Sequence, residues 1–356
     1  MRIAILGFGT VGKGTYDIIK ESGLSYIEVV KILRRSKSEG SIFTDNFGDI
    51  INDDSIDTIV ECLGGLEPAR TYIIEAIKKG KNVVTSNKFV LASCYDEFIN
   101  LANEKNVYFL FEASVGGGVP IIENLFRIGF VDEVTGFKGI VNGTTNYILD
   151  KLTNSSAEYV DVLSDAQKFG YAEKDPSSDV DGDDAMYKSI ILANVASKKS
   201  YSMDSFLKLG LRNISKADID FFKYHNLVCK LIAEYDAAHS RILVMPELFN
   251  RNAIIANVPL NNNFIEVYCK TEGKLLFMGQ GAGSYPTGHS VVQDLVRIEQ
   301  NAVVPTLTTE KVYISYSDFS NRFYIKRKGC NGEFIDGMSE NDLRSEDLLF
   351  AAKVNL

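Results

Sequence analysis

The sequence predicts an α/β chain in two parts, a doubly wound parallel sheet followed by an α+β part with a largely antiparallel sheet. Three observations carry this reading. Strand-like and helix-like runs alternate from Arg2 to Phe111. A glycine turn, Gly7-Phe-Gly9-Thr-Val-Gly12, joins the first strand to the first helix. From Leu227 to Gly279, by contrast, strands follow strands. At 356 residues the chain exceeds one ordinary core, so two domains are expected.

The elements follow in order. Arg2–Leu6 is a short β-rich run, and the helix after the glycine turn reaches about Ser22 with Val11, Tyr16, Ile18 and Ile19 on its apolar side. Strand, glycine turn and helix in this order are the context that gives GxGxxG its meaning. Gly7 allows the tight turn, Gly9 lets backbone approach a pyrophosphate, and Gly12 lets helix and strand pack closely. Free N–H groups at the helix start, around Phe8, Thr10 and Val11, then hold phosphates. Strands near 28–33, 58–63, 82–85 and 107–111 interleave with helices near 67–79 and 95–105. This is a Rossmann-type arrangement.

Cofactor choice is read after the second strand. The segment Leu33-Arg34-Arg35-Ser36-Lys37 has no acid until Glu39, where NAD would want a carboxylate on its ribose. Arg34 and Arg35 therefore point to NADP(H), with NAD the alternative; the same basic residues would also suit a merely solvated loop. Lys88 follows the strand of residues 82–85 at the carboxyl edge of the sheet, where open α/β folds bind ligands. Glu112 to Pro120 contains three consecutive glycines, fit for backbone passing close to a ligand or ion, or for a plain turn.

From about Val131 the pattern changes. Residues 132–141 read as a strand, and Asn142-Gly-Thr-Thr145 reads as a turn and N-cap for a helix over 146–152. The stretch from Gly170 to Lys188 packs six carboxylates, Glu173, Asp175, Asp179, Asp181, Asp183 and Asp184, ahead of one lysine. Asp184 and Lys188 are four apart, so on a helix they share a face, and the run 185–196 that follows is helix-like. Helix caps and solvated turns are the plain reading of the same acids. A calcium loop is excluded: counted from Asp179, glycine falls fourth instead of sixth, and position twelve is Ile190. Strands near 227–235, 241–248, 264–270 and 275–279 follow, the last two joined at Glu272-Gly273. A second glycine loop, Gly279 to Thr287, precedes a helix over 291–300 that returns to the first domain.

Composition narrows the classes. The 45% hydrophobic and 24% charged fractions are those of a globular protein, and a net charge of −9 disfavours nucleic-acid binding. No apolar run reaches bilayer-crossing length, and Met1 leads straight into a strand, so a cytoplasmic protein is expected. Cys62, Cys94, Cys229, Cys269 and Cys330 show no CxxC and read as buried free thiols. His225, His239 and His289 read as structural or surface residues.

Taken in order, the motifs resemble homoserine dehydrogenase. The matching pieces are Gly7–Gly12, Gly64-Gly65 with Glu67-Pro68, Asn87-Lys88, Glu112–Pro120 and Asn142–Asn146. Gly170–Pro176, then Asp179, Asp184 and Lys188, then Gly281-Ala-Gly283 with Pro286-Thr287, complete the set. His289 departs from the small residue expected there. The resemblance implies reversible reduction of L-aspartate 4-semialdehyde to L-homoserine by a nicotinamide cofactor, in threonine and methionine biosynthesis, by a homodimer. It assigns catalysis to Lys88, Lys188, Asp184 and Glu173, and substrate contacts to Gly143, Thr144, Tyr171 and Asp179. Gly64, Lys88 and Gly283 join the glycine loop at the cofactor, and a sodium ion is implied at Glu112, Val115, Gly117 and Val119. Hydride adding to an aldehyde leaves an alkoxide, which needs a cation or acid beside it. The alternatives are another NADP-linked amino-acid aldehyde or keto-acid dehydrogenase, or an idle homologue that senses redox state. Expected boundaries are 1–130 for the nucleotide domain with 283–305 returning to it, 131–282 for the substrate and dimerisation domain, and 306–356 for a C-terminal extension. The extension has strand-like runs at 311–316 and 323–327. A βαββαβ ACT module needs roughly sixty residues, so this tail is expected to lack one, and threonine feedback with it.

Overall fold

The computed structural model describes residues 1–355 apart from 36–41, 156, 170, 173, 205, 315 and 317. The chain forms two compact units, 1–131 with 191–200 and 280–311, and 132–190 with 201–279 and 312–355. Two features differ from the expected boundaries. The end of the helix after the acidic stretch goes with the first unit, and the tail from residue 312 merges with the second instead of standing apart.

In chain order the first unit begins β1 (Arg2–Leu6), α1 (Thr10–Glu21), β2 (Glu28–Leu33), β3 (Phe43–Thr44), α2 (Gly48–Ile51) and β4 (Thr58–Glu61). It continues α3 (Ala69–Lys78), β5 (Asn82–Thr85), α4 (Lys88–Lys105), β6 (Phe109–Leu110) and α5 (Ile121–Ile128). The strands lie in the order β3-β2-β1-β4-β5-β6, and every pairing is parallel. Strands covered on both faces are buried almost without a break, as β1 and β4 are, and the one carboxylate there, Glu61 of β4, accepts from Thr85 Oγ1 and Leu63 N–H. α4 starts earlier than the sequence pattern indicates, at Lys88, because the Asn87 side chain caps it through the Val90 N–H.

The second unit follows with β7 (Val134–Ile140), α6 (Gly143–Asn154), α7 (Tyr159–Lys168), α8 (Ser177–Val180) and α9 (Asp183–Ser197). After β8 (Ser200–Tyr201) and β9 (Leu207–Lys208) come α10 (Lys216–Tyr224), β10 (Leu227–Asp236), β11 (Arg241–Asn250), β12 (Asn262–Cys269) and β13 (Lys274–Gln280). α11 (Ser284–Glu299) returns to the first unit, where Val291, Leu295 and Ile298 pack among Ile3, Ile5 and Ile32 of the parallel sheet. It begins seven residues before the expected start, with Pro286 in its first turn, where the missing N–H leaves no helix bond unmade. The chain closes with β14 (Lys311–Val312), β15 (Phe319–Arg327), β16 (Glu333–Met338), α12 (Glu340–Leu343) and β17 (Leu348–Asn355).

The large sheet of the second unit runs β13-β12-β7-β10-β11-β17-β15-β16, with β9 also on β11. Its centre is antiparallel, but β17 joins β11 in parallel with Lys353 opposite Glu247. The tail thus extends this sheet and shares a core with it, Phe319, Phe323, Ile325 and Ala351 packing on Leu243 and Met245. Cys330, in the turn between β15 and β16, is exposed, unlike the buried thiol expected.

A buried charge cluster pins the tail. Lys353 pairs with Glu234 and lies 2.9 Å from Glu247 Oε1, while Lys138 sits 3.0 Å from Glu247 Oε2 and 3.3 Å from Glu234. Asn355 Nδ2 donates to Glu247 at 2.8 Å. Glu247 is fully buried and Lys353 is 4% exposed, so neither charge is tolerable alone. Burial disfavours the Lys353 ammonium, but Glu247 and Glu234 outweigh it and raise its pKa. Lys353→Met should lower the unfolding free energy by about 3–5 kcal/mol, measured by urea denaturation. Glu247→Gln in that background should recover part of the loss. A loss under about 1 kcal/mol would show that the cluster does not hold the tail.

Candidate active site

In the nucleotide unit, the ends of β1, β4 and β5 place three loops along one edge of the sheet. Gly7 has φ +95, and a side-chain carbon there would come within 2.6 Å of the Cys62 carbonyl oxygen at the end of β4. A side chain at Gly12 would overlap the Gly7 carbonyl, so the loop closes only with glycine at both. Gly9, at the start of α1, faces open space, which leaves room for a phosphate at the helix N-terminus. Phe8, Thr10 and Val11 complete this loop, and Ser284 Oγ, next to Gly283, donates to the Thr10 carbonyl at 2.8 Å. Gly64 lies in the loop after β4, tied through Gly65, whose carbonyl accepts from Asn87 Nδ2 at 2.9 Å. Asn87 thereby ties that loop to the start of α4, where Lys88 is half-buried. Arg34 is half-buried at the end of β2 and Arg35 is exposed. His289, the departure from the family pattern, points outward on α11 beside Gln293.

The Glu112–Val119 loop is also in this unit. Glu112 is buried, its carboxylate accepting from the N–H groups of Ile122 and Glu123. Burial and then the Asp294 charge push its pKa up to about 8. The Gly117 carbonyl accepts from Ser290 Oγ at 2.6 Å, and Gly118 N–H donates to the Gln280 carbonyl at 3.0 Å. These bonds hold a loop of backbone carbonyls against the start of α11.

The substrate unit carries the densest polar site. Asp184 and Lys188 stand one turn apart on α9 and are 3% and 8% exposed. Lys188 Nζ donates to Asp184 Oδ2 at 2.8 Å and to the Val141 carbonyl at 2.8 Å. Asn142, which the sequence pattern marks only as a cap, is the residue that joins the site together. Its Nδ2 donates to Asp179 Oδ1 and to Asp184 Oδ2, both at 2.7 Å, while its Oδ1 caps α6 at Thr145 N–H. Its cap signal was visible in Asn142-Gly-Thr-Thr, but the two carboxylates it bridges are distant in sequence. Burial, then the charge of Asp184, raises the Asp179 pKa. Thr144 Oγ1 donates to the Tyr171 carbonyl at 2.5 Å, and the Tyr171 ring packs 4.9 Å from Tyr147. Gly143 leaves no room for a side chain, which would stand 2.7 Å from the Asn261 carbonyl oxygen. Glu173 lies outside the described residues.

The other acids of this stretch behave as caps and surface pairs. Asp175 accepts from Ser177 N–H, Asp181 pairs with Arg212, and Asp183 pairs with Lys208. The acidic run thus divides into caps and surface pairs on one side and the Asp179–Asp184 group around Asn142 on the other.

Beneath the start of α6, Lys230 is 1% exposed and donates to Asn146 Oδ1 and the Val258 carbonyl, each at 2.8 Å. Asn146 Nδ2 in turn donates to the Leu260 carbonyl at 2.8 Å, docking α6 on this loop. Burial pushes the Lys230 pKa down to about 8.

Comparison with known proteins decides the family. A sequence model described as homoserine dehydrogenase matches residues 120–296, and one described as its NAD binding domain matches residues 7–112. Homoserine dehydrogenase of Synechocystis is 36% identical, covering 92% of this chain and 82% of that protein. The chain belongs to the homoserine dehydrogenase family. The Lactococcus lactis homoserine dehydrogenase is 38% identical over 84% of this chain and 74% of its own length. Among solved structures, a homoserine dehydrogenase from Thiobacillus denitrificans aligns with TM-score 0.88 at 28% identity, covering all of this chain and 98% of that one. A hyperthermophilic archaeal homoserine dehydrogenase in complex with NADPH aligns with TM-score 0.73 at 25% identity, over 85% of this chain and 98% of that one. No helix among the described residues is long and apolar enough to cross a membrane.

Two outcomes test the homoserine dehydrogenase site. Asn142→Ser keeps a capping oxygen but gives Asp179 and Asp184 no amide. Turnover should fall at least tenfold while unfolding loses about 1–3 kcal/mol; unchanged turnover would remove Asn142 from the site. For Lys230 the sign follows from its lowered pKa. The folded state binds fewer protons than the unfolded one between pH 8 and about 10.5, so stability rises with pH there. Relative to Lys230→Met, the wild type should gain about 2 kcal/mol between pH 7.5 and 10 in chemical denaturation. A flat difference would mean that Lys230 is not held in a charged, costly state.

Proposed function

We propose that the chain interconverts L-homoserine and L-aspartate 4-semialdehyde with NADP(H), a step of threonine and methionine biosynthesis, in the cytoplasm. The observation that carries this reading is the buried Lys188–Asp184 pair, bridged by Asn142 to Asp179, in a chain of this family. When bound, the nicotinamide takes or gives the hydride. Lys188 supplies the charge and the proton that the hydride leaves unbalanced. In reduction its ammonium gives a proton to the alkoxide; in oxidation the amine takes the hydroxyl proton. Asp184 keeps that ammonium in place, and the Val141 carbonyl fixes its direction. Lys88, set by the Asn87 cap, serves as a second cation, and Glu173 with Asp179 takes the substrate's amino group. Gly143, Thr144 and Tyr171 shape the substrate side.

The open Gly9 cradle fits a dinucleotide pyrophosphate, and Arg34 with Arg35 suits the 2′-phosphate of NADP. The Glu112, Val115, Gly117 and Val119 carbonyls suit a sodium ion, a hard cation that takes oxygen ligands. We further read the chain as a homodimer, supported by Leu276 and Met278, which stand exposed on the edge strand β13.

The enzyme should oxidise L-homoserine, but not lactate, malate or glutamate, and should prefer NADP⁺ when assayed beside NAD⁺. Lys188→Ala should lose roughly a hundred- to thousandfold in kcat, the usual effect of removing a charge that stabilises an oxyanion. NADPH binding should persist, read by fluorescence titration. Turnover of Lys188→Ala within threefold of the wild type would sink the assignment.

A further inference from the structure

We propose that Phe43 is the platform that holds the Arg34 guanidinium ready for the 2′-phosphate of NADP(H), and so helps set cofactor preference. The proposal rests on the reading of Arg34 as a reader of that phosphate.

The argument starts from strand register. Side chains alternate along a strand, so Ile32 and Arg34 lie on one face of the sheet. β3 runs parallel to β2 with Phe43 opposite Ile32 and Thr44 opposite Leu33, which puts Phe43 on that same face. The Arg34 guanidinium carbon then lies 5.5 Å from the centre of the Phe43 ring. The ring in turn meets Phe8 of the glycine loop edge-on at 5.5 Å, and Phe8 meets Tyr16 edge-on at 5.8 Å. Phe43 is thus fixed from the side of the phosphate loop.

A two-residue edge strand does not hold its place by itself. This one is tied by Ile32 N–H to the Ile42 carbonyl at 2.7 Å and by Arg34 N–H to the Thr44 carbonyl at 2.9 Å. The Thr44 hydroxyl donates to Asp49 at 2.6 Å and accepts from Asn46 N–H at 3.1 Å, locking the strand to the turn before α2. Such anchoring gives the ring a fixed position.

The chemistry follows from the shape of guanidinium. Arginine is planar, so stacking on a ring occupies its face and leaves its in-plane N–H groups pointed at an oxyanion. A long side chain ordered before the ligand arrives loses less freedom on binding. NAD carries a hydroxyl where NADP carries the phosphate, so a weaker platform should matter to NADP alone. Arg34 is half-buried against this ring whereas Arg35 is exposed, so Arg34 is taken as the principal reader.

The test uses the full-length enzyme and direct fluorescence titration of NADPH and NADH, with Michaelis constants for both oxidised cofactors. Phe43→Leu, which keeps apolar bulk but removes the π face, should raise the NADPH Kd about three- to thirtyfold and leave NADH within twofold. Phe43→Trp should restore NADPH binding. In an Arg34→Ala background, Phe43→Leu should add nothing. Equal weakening of both cofactors would place Phe43 on the adenine or the glycine loop and overturn the proposal. So would no effect, or a full effect without Arg34. If Arg34→Ala and Arg35→Ala both leave the NADPH-to-NADH ratio unchanged, the NADP reading itself fails, an outcome distinct from failure at Phe43 alone.

Discussion

Asn142 spends both ends of one amide. Its oxygen closes the first turn of α6, and its two hydrogens go to Asp179 and Asp184. Two carboxylates sharing one amide repel. Burial first, and then the Asp184 charge, raises the Asp179 pKa. The amide and the Lys188 ammonium offset it, and Lys188 also reaches the carbonyl of Val141, the residue before Asn142. The result is a closed ring: backbone from Val141 to Asn142, then the amide, the Asp184 carboxylate, and the Lys188 ammonium back to Val141. It fixes α9 against the end of β7 within the substrate unit.

β7 is therefore the strand on which the substrate unit depends. It lies between β10 and β12, and its Lys138 enters the buried cluster with Glu234, Glu247 and Lys353. A few residues later it delivers Val141 and Asn142 to the site. Asn263 donates to the same Val141 carbonyl at 3.2 Å, and Lys230 with Asn146 docks the helix that follows. Among the described residues of this unit, each fully buried charge but one is matched by an opposite charge at hydrogen-bond distance. The exception is Lys230, which donates to the neutral carbonyl oxygens of Asn146 and Val258, and burial lowers its pKa strongly.

Much of this was legible in the sequence, and the rest was hidden for identifiable reasons. The parallel sheet announced itself through alternating strands and helices, and the Asp184–Lys188 spacing through helical periodicity, since both signals are local. Helix starts were read late where the stop signal was misleading: Pro286 looks like a breaker yet sits in the first turn of α11. The acidic run could not be sorted from composition, because caps and catalytic acids use the same residue. What separates Asp181 and Asp183 from Asp179 and Asp184 is the partner, Arg212 and Lys208 against Asn142, and partners are set by the fold. The parallel seat of β17 on β11 is likewise a long-range pairing, and no turn signal encodes it. The cofactor loop was clear from its glycines, whereas Phe43 carried no local mark at all.

The groups proposed to act in the two units hold their charge in different settings. Those proposed for the cofactor are accessible, the open cradle at Gly9 and Arg34, half-buried beside the Phe43 ring. Such groups exchange water for a ligand with little desolvation penalty, and salt screens them within about a Debye length. The substrate unit instead buries its lysine and carboxylates, where screening is weak and each charge must be paired. A cofactor that binds and leaves each cycle is served by exposed, pre-ordered groups. A proton that must move at one fixed oxygen is served by a buried pair whose geometry cannot drift.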